Sequence, residues 1–301
     1  MNIIFTYFHH RFLSKMKLFE TIRATREHID FLTNQHLTIG FVPTMGALHQ
    51  GHLSLVQRAV QENNRVAVSI FVNPIQFNNP SDLENYPRNL EADLKLLEPL
   101  LSDDDFIFAP TVTEMYPKAE TRLFDFGSIA EVMEGRYRPG HFNGVGVVVN
   151  KLLRIVEPTA AYFGEKDFQQ LAIIRQLATM EQLPVKIIPC PIIREPDGLA
   201  MSSRNVRLTP DHRQAAPLIF QTLLDAAKRT GTDSPDQLKQ YIGATLNQTK
   251  LLEVEYVEFS DEVTLESVQN WTTSRNIRCF IAVQAGDVRL IDNIRISVPA
   301  K

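Results

Sequence analysis

The sequence predicts an α/β fold: a parallel sheet wrapped by helices, with a second, smaller α+β domain at the C-terminal end. Three observations support that expectation. Strand-length apolar runs alternate with helical patterns through the first two thirds of the chain. Those runs are apolar at nearly every position, as strands covered on both faces are. Beyond residue 193 the order changes to two helical stretches and then an alternating hairpin pattern, which indicates a different packing of layers.

In chain order, a helical stretch at 22–32 precedes the apolar run LTIGFV at 37–42, and a helical pattern follows from Gly51. The run VAVSIFV at 66–72 reads as a second buried strand. A helix at 89–101 and short strands at 106–110 and 123–126 come next. A helix at 145–156, the strand AAYFG at 160–164, a helix at 169–180 and the strand VKIIPCPII at 185–193 complete the alternation, whose spacing indicates parallel connections. Helices are then expected at 210–230 and 235–248, separated by the turn-rich TGTDSP. A hairpin is expected to turn at Gly286-Asp287 within RCFIAVQAGDVRLIDNI. The patterns divide the chain into a first domain at 17–190 and a smaller lid at 191–301. Residues 1–16 read as an N-terminal extension outside the core, because a more conventional opening starts at Met16.

With 301 residues, 44% of them hydrophobic and 22% charged, the chain has an ordinary globular composition, and disordered or fibrous readings are excluded. A formal charge of −4 supplies no basic field. That argues against nucleic acid or an anionic membrane as partner and leaves phosphate chemistry to a local site. No run of about 18 apolar residues is present, and MNIIFTYF lacks the basic flank and cleavage site of a signal peptide. Cys190 and Cys279 are too few for a disulfide framework and read as reduced thiols, so the expected compartment is cytoplasmic.

The first strand-to-helix turn, PTMGALHQGH at 43–52, lies where open parallel sheets collect ligands and where a helix N-terminus attracts anions. Gly46 and Gly51 have P-loop spacing, but His52 and Leu53 stand where Lys and Ser/Thr are required, and no dinucleotide fingerprint exists. His49 and His52 can converge on one polyphosphate and donate hydrogen bonds as charge moves to a leaving group. The competing reading makes one a helix cap and the other a surface residue. Zinc is disfavoured, since neither a Glu-Xaa-Xaa-His neighbour nor a thiolate accompanies the pair.

Three further segments point the same way. In FVNPIQF, Asn73 and Gln76 cluster beyond the second buried strand, although a turn at Pro74 explains part of this. FGEKDFQQ at 163–170 puts Lys166 where it can neutralise phosphate, and Asp167 where it can hold ribose, magnesium or helix N–H groups. DGLAMSSRN at 197–205 offers two hydroxyls and Arg204 on a loop able to close over a triphosphate, or a plain polar hinge. Four such segments at successive strand ends favour one nucleotide site.

PTMGALHQGH, SIFVNPIQF, RPGHFNGV, YFGEKDFQQLAIIRQ and DGLAMSSRN, in this order and spacing, resemble the pantoate–β-alanine ligase (pantothenate synthetase) family of the nucleotidyltransferase superfamily. The resemblance runs from Lys17 to the C-terminus. It implies a Rossmann-like first domain and an AMP-forming ligation. ATP and (R)-pantoate would give pantoyl adenylate and pyrophosphate, and β-alanine would then give pantothenate and AMP. It also implies Mg²⁺ on the ATP and a homodimer.

By the same resemblance, Met45, Gly46, Ala47 and Leu48 flank ATP together with His49, Gln50, Gly51 and His52. His49 and His52 lie on the phosphates, and His52 donates a proton to the pyrophosphate leaving group. Gly164, Glu165, Lys166 and Asp167 also bind ATP, with Lys166 on phosphate and Asp167 near the ribose, while Ile193 meets adenine through its backbone. Met201, Ser202, Ser203 and Arg204 form the closing loop; Arg204 stands where the wider superfamily often has lysine. Gln76 and Gln170 grip pantoate, Gln76 also lies beside β-alanine, and no side chain is assigned to a metal. The implied catalytic set is His49, His52, Lys166 and Arg204. Arg138 and His141 of RPGHF are expected to shape the site wall. One rival is another adenylyl or cytidylyl transferase, against which Gln76 and Gln170 weigh. A silent nucleotide-binding module is the other, and the presence of His52, Lys166 and Arg204 weighs against it.

Overall fold

The computed structural model describes residues 16–297. Of the extension expected at 1–16, residues 1–15 lie outside the described residues, while Met16, expected outside the core, packs against a core cluster. The chain opens with β1 (Lys17–Phe19), α1 (Ile22–Thr33), β2 (Ile39–Thr44), α2 (Gln50–Glu62), β3 (Arg65–Ile70), α3 (Pro80–Glu84), α4 (Leu90–Leu97) and β4 (Phe106–Phe108). Next come α5 (Val112–Met115), α6 (Met133–Tyr137), α7 (His141–Val156), β5 (Ala160–Gly164), α8 (Phe168–Met180) and β6 (Lys186–Cys190). The remainder holds α9 (Pro210–Ala215), α10 (Leu218–Lys228), α11 (Pro235–Asn247), β7 (Glu253–Asp261), β8 (Ile277–Ala285) and β9 (Val288–Ile296).

Strands β1 to β6 form one sheet in the order β1-β4-β3-β2-β5-β6, and every neighbouring pair is parallel. Side chains alternate across it as period two requires. Phe41, Ala67, Phe106, Phe108, Ala161 and Phe163 join α1, α7 and α8 in one core, whereas Val42, Val68, Ile107 and Tyr162 join α2 and α4 in another. Covering both faces explains why the strands read as unbroken apolar runs. The chain leaves β2 toward β3 on one side, while β5 and β6 lie on the other. The crevice therefore opens between the carboxyl ends of β2 and β5, the topological switch point.

Strands β7, β8 and β9 make a separate antiparallel sheet. The expected two-residue turn joins β8 to β9, with Gly286 at φ 60°. Cys279, Ile281 and Val283 pack against α10 and α11, while Phe280, on the opposite face, joins the first core. This sheet thus has one face on its own helices and one on the switch-point side.

Several sequence expectations need correction. Residues 123–126 form no strand. They cross α7 instead, where the Phe124 N–H donates to Asn143 Oδ1 at 2.8 Å, so a side chain replaces a ladder partner. The helix expected at 210–230 is split into α9 and α10, because Pro217 has no N–H to continue it. Helix α7 starts at His141, four residues early, behind a left-handed Gly140 (φ 80°). Strand β6 stops at Cys190 since Pro191 cannot donate to the ladder, and α4 stops at Leu97. The three-residue β1 was not anticipated.

Candidate active site

A cavity of about 230 Å³ occupies the switch point. The turn after β2 contributes Met45, His49, Gly51 and His52 to its wall, and the turn after β5 contributes Gly164, Lys166, Asp167 and Gln170. Asn73 and Gln76 follow β3, Ile193 follows β6, and Met201, Ser202, Ser203 and Arg204 close the rim. Five residues expected at ATP do not line this cavity: Gly46, Ala47, Leu48, Gln50 and Glu165. The N–H groups of Ala47 and Leu48 already donate to the Asp93 carboxylate, at 3.0 and 2.7 Å. Gln50 is exposed on the helix surface, and Glu165 faces Arg278 at 3.7 Å.

The two histidines close the start of α2 on themselves. His49 is the N-cap, and its Nδ1 accepts from the Gly51 N–H at 3.1 Å, while His52 Nδ1 accepts from the His49 N–H at 3.4 Å. A Cβ at residue 51 would meet the His49 ring at 2.8 Å, so glycine is required between them. An Nδ1 that accepts puts the proton on Nε2, which leaves each neutral ring one N–H donor. The rings lie 4.2 Å apart. Burial, then Lys166, holds His49 at about 4; burial, then His49 and Lys166, holds His52 at about 3. Both are neutral at pH 7. The helix-cap reading of one histidine is therefore true without excluding its place in the cavity.

Gln76 is buried in a network. Its Nε2 donates to Met45 Sδ at 3.0 Å, its Oε1 accepts from Asn73 Nδ2 at 3.1 Å, and its carbonyl accepts from His141 Nδ1 at 2.8 Å. The Tyr116 hydroxyl donates to Asn73 Oδ1 at 2.8 Å, which explains the polar cluster beyond β3. Helix α7 can press so close only because Gly144 has no Cβ, which would meet the Ile75 carbonyl at 2.5 Å.

Lys166 makes no ion pair among the described residues. Its carbonyl and that of Glu165 both accept from Asn293 Nδ2 of β9, each at 2.9 Å, and Arg278 donates to Asn293 Oδ1 at 2.6 Å. The C-terminal sheet thereby fixes the backbone under the lysine. On the rim, Ser203 Oγ donates to the Ala47 carbonyl at 3.0 Å, and Arg204 pairs with Asp82 at 2.8 Å, which Arg207 shares at 2.9 Å. Burial opposes the charge on Asp82, but the two arginines outweigh it and hold its carboxyl below the usual range. Ile193 offers a carbonyl to the Met201 N–H at 3.0 Å.

Asp93, Asp82, Tyr86 and Asn293 were not anticipated. Tyr86 lines the cavity, Asp82 and Asn293 support residues that do, and Asp93 holds the turn that leads into His49. Nothing in the local pattern marks them, because each acts on a segment far along the chain. Among the described residues, no group of three or more His, Cys, Asp or Glu is arranged to hold a metal. Asp167 is the carboxylate of the lining. No described helix is long and apolar enough to cross a membrane, and Cys190 and Cys279 are buried free thiols.

The model of the family described as pantoate-beta-alanine ligase matches residues 17–295. A pantothenate synthetase from Porphyromonas gingivalis is 48% identical over 280 residues, covering 93% of this chain and 99% of the relative. One from Flavobacterium psychrophilum is 47% identical over 282 residues, covering 93% and 100%. The crystal structure of pantothenate synthetase from Thermus thermophilus superposes with a TM-score of 0.87 at 39% identity, covering 94% of this chain and all of that one. That of pantoate-beta-alanine ligase from Francisella tularensis, complexed with beta-gamma ATP and β-alanine, gives 0.80 at 37% identity, covering 93% and 97%.

Proposed function

The chain belongs to the pantoate–β-alanine ligase family, and from that premise we propose that it joins (R)-pantoate to β-alanine through a pantoyl adenylate, releasing pyrophosphate and then AMP. The observation that supports this reading most is one cavity shared by His49, His52, Lys166, Arg204, Gln76 and Gln170. The Francisella relative's complex with beta-gamma ATP and β-alanine supports ATP and β-alanine as substrates.

A free carboxylate resists an amine, because its carbonyl is electron-rich and its leaving group poor. In the first step Gln76 and Gln170 hold pantoate so that a carboxylate oxygen meets the α-phosphorus, and the bond from phosphorus to pyrophosphate breaks. The Nε2–H groups of His49 and His52 and the cations of Lys166 and Arg204 face the charge that gathers on pyrophosphate. Since both imidazoles are neutral beforehand, His52 starts as a hydrogen-bond donor, and the bound triphosphate raises its hold on a second proton. The amine then attacks the acyl carbon, and AMP departs.

Magnesium fits as a nucleotide-borne ion, because triphosphate oxygens and water supply most of its ligands and Asp167 is the carboxylate at hand. It would supply neutralisation of the phosphates. Residues 17–190 in this reading bind ATP and pantoate, and 191–301 act as the lid that carries Met201 to Arg204. The protein works as a cytoplasmic homodimer on small molecules, with neither nucleic acid nor membrane as partner. The test is isotopic: oxygen-18 in the pantoate carboxylate is expected in AMP, and label-free AMP overturns the adenylate route.

A further inference from the structure

Two adjacent residues near the end of the chain hold two walls of the large cavity. Asp292 and Asn293 are buried on β9, an edge strand of the C-terminal sheet, opposite Ile281 and Phe280 of β8. Neighbours on a strand point to opposite faces. Asn293 therefore shares the face of Phe280, which packs on the first core, and Asp292 the face of Ile281, which packs on α10 and α11.

On its side Asn293 donates to the carbonyls of Glu165 and Lys166. On the other, Asp292 accepts from Arg194 with both carboxylate oxygens, at 2.6 and 2.9 Å. The same guanidinium donates to the Gly198 carbonyl at 3.1 Å and lies over the Phe220 ring at 3.5 Å. Arg194 and Gly198 belong to one tight hairpin, in which residue 194 bridges Ala200 and the Glu195 N–H donates to the Leu199 carbonyl at 2.8 Å. Its open end is the pair Ile193 and Met201, and both line the large cavity. Asp292 thus stands to this hairpin as Asn293 stands to Lys166.

Stability alone does not account for these bonds. The side chains of Arg194 and Asp292 are only 17% and 4% exposed. Taking such a pair out of water costs about what its attraction returns, so apolar residues of similar size would hold the layers as well. Arg278 requires only the Asn293 oxygen, yet the amide also serves two successive carbonyls. What the bidentate ion pair and the double clasp add is direction, which apolar contact leaves loose.

Resting on the ligase reading above, we propose that Asp292 and Asn293 are positioning residues of the ATP site, which set Lys166 and the 193–201 hairpin at one fixed separation. Lys166 then meets the phosphates while the open end of the hairpin holds the base. Neither residue lines the large cavity, so each acts through another: Asn293 through Lys166 on the rate, Asp292 through Arg194 on the affinity for ATP.

The experiment uses the full chain with Asn293→Asp, which keeps an oxygen for Arg278 and removes both N–H donors, and with Asp292→Asn, which removes the charge and keeps the shape. Because Lys166 acts on charge that gathers at pyrophosphate, Asn293→Asp is expected to lower kcat about 10-fold with the KM for ATP within about threefold. In a Lys166→Ala background the same change should cost less than about twofold, since its route is already gone. Asp292→Asn is expected to raise the KM and the calorimetric Kd for ATP about 10-fold, with kcat within about threefold and the pantoate KM unmoved. Equal losses of kcat in both backgrounds, as a purely structural Asn293 would give, overturn the proposal, and so does a parent-like kcat in Asn293→Asp. An ATP Kd unmoved in Asp292→Asn, or a pantoate KM raised as much, overturns it from the other side. If Asn293→Asp does not fold, Asn293→Ala is read by the same cycle. A parent that binds ATP and makes no pantothenate overturns the ligase reading instead, and the Kd of Asp292→Asn then upholds or overturns the positioning pair.

Discussion

The two arms that meet over the large cavity are held in opposite ways. The turn carrying His49 and His52 is closed by bonds within itself and by the Asp93 carboxylate beneath it. The loop carrying Ser203 and Arg204 is held by a hydroxyl on the Ala47 carbonyl and by an ion pair to Asp82. The N–H groups that Asp93 holds lie off the cavity lining, whereas Arg204 lines the cavity, where a phosphate would compete with Asp82. The histidines are set before substrate arrives; the arginine of the loop that closes over it has an exchangeable partner.

The largest effect expected from this contrast is at His52. His52→Ala should lower kcat about 100-fold or more with the far-ultraviolet circular dichroism of the parent, since the lost donor acts on charge in the transition state. Near-normal kcat would break the contrast at its strong end. Asp93→Ala should cost about 2 kcal/mol in urea unfolding, because two backbone N–H groups lose their acceptor; stability equal to the parent would mean that the turn holds itself.

Acid should probe the same rigidity. Burial keeps His49, His52 and His141 neutral, at about 4, 3 and 4, against about 6.5 in the unfolded chain. Below about 6.5 the unfolded chain binds more protons, so the stability is intact above that pH and is lost as pH falls toward 4. Each such histidine contributes about 1.4 kcal/mol per pH unit inside the window. Tm followed from pH 7.5 to 4.5 should fall, and less steeply in His52→Gln; parallel curves would refute the assignment. The smallest effect belongs to the loop. Asp82→Asn should lower the KM for ATP about threefold by removing the competitor for Arg204 while leaving the pantoate KM unmoved, and a raised KM for ATP would show that Asp82 aids closure.

What the sequence revealed follows from the range of the interactions. Strands β2, β3 and β5 were legible because burial on both faces makes them apolar at nearly every position, and the His-Gln-Gly-His turn was legible because cap, glycine and ring contact lie within four residues. Asp93 was not, since it serves N–H groups more than forty positions away. Residues 123–126 read as a strand because Leu123, Phe124 and Phe126 form a short apolar run broken only by Asp125, yet Phe124 and Phe126 pack beside α7 rather than in a sheet. Arg138 was legible as part of a motif, but Glu134, the carboxylate it meets at 3.6 Å, was not, because Arg289 and Tyr256, which hold it, lie more than a hundred positions away.

Asn293 gives the molecule an order of assembly. It lies 127 positions beyond Lys166, so the backbone beneath that lysine has no buttress until β9 has been synthesised and paired. A nascent chain would own a folded sheet and a histidine turn long before it owned a finished catalyst. Competence would come in one late event, as the last hairpin strand docks.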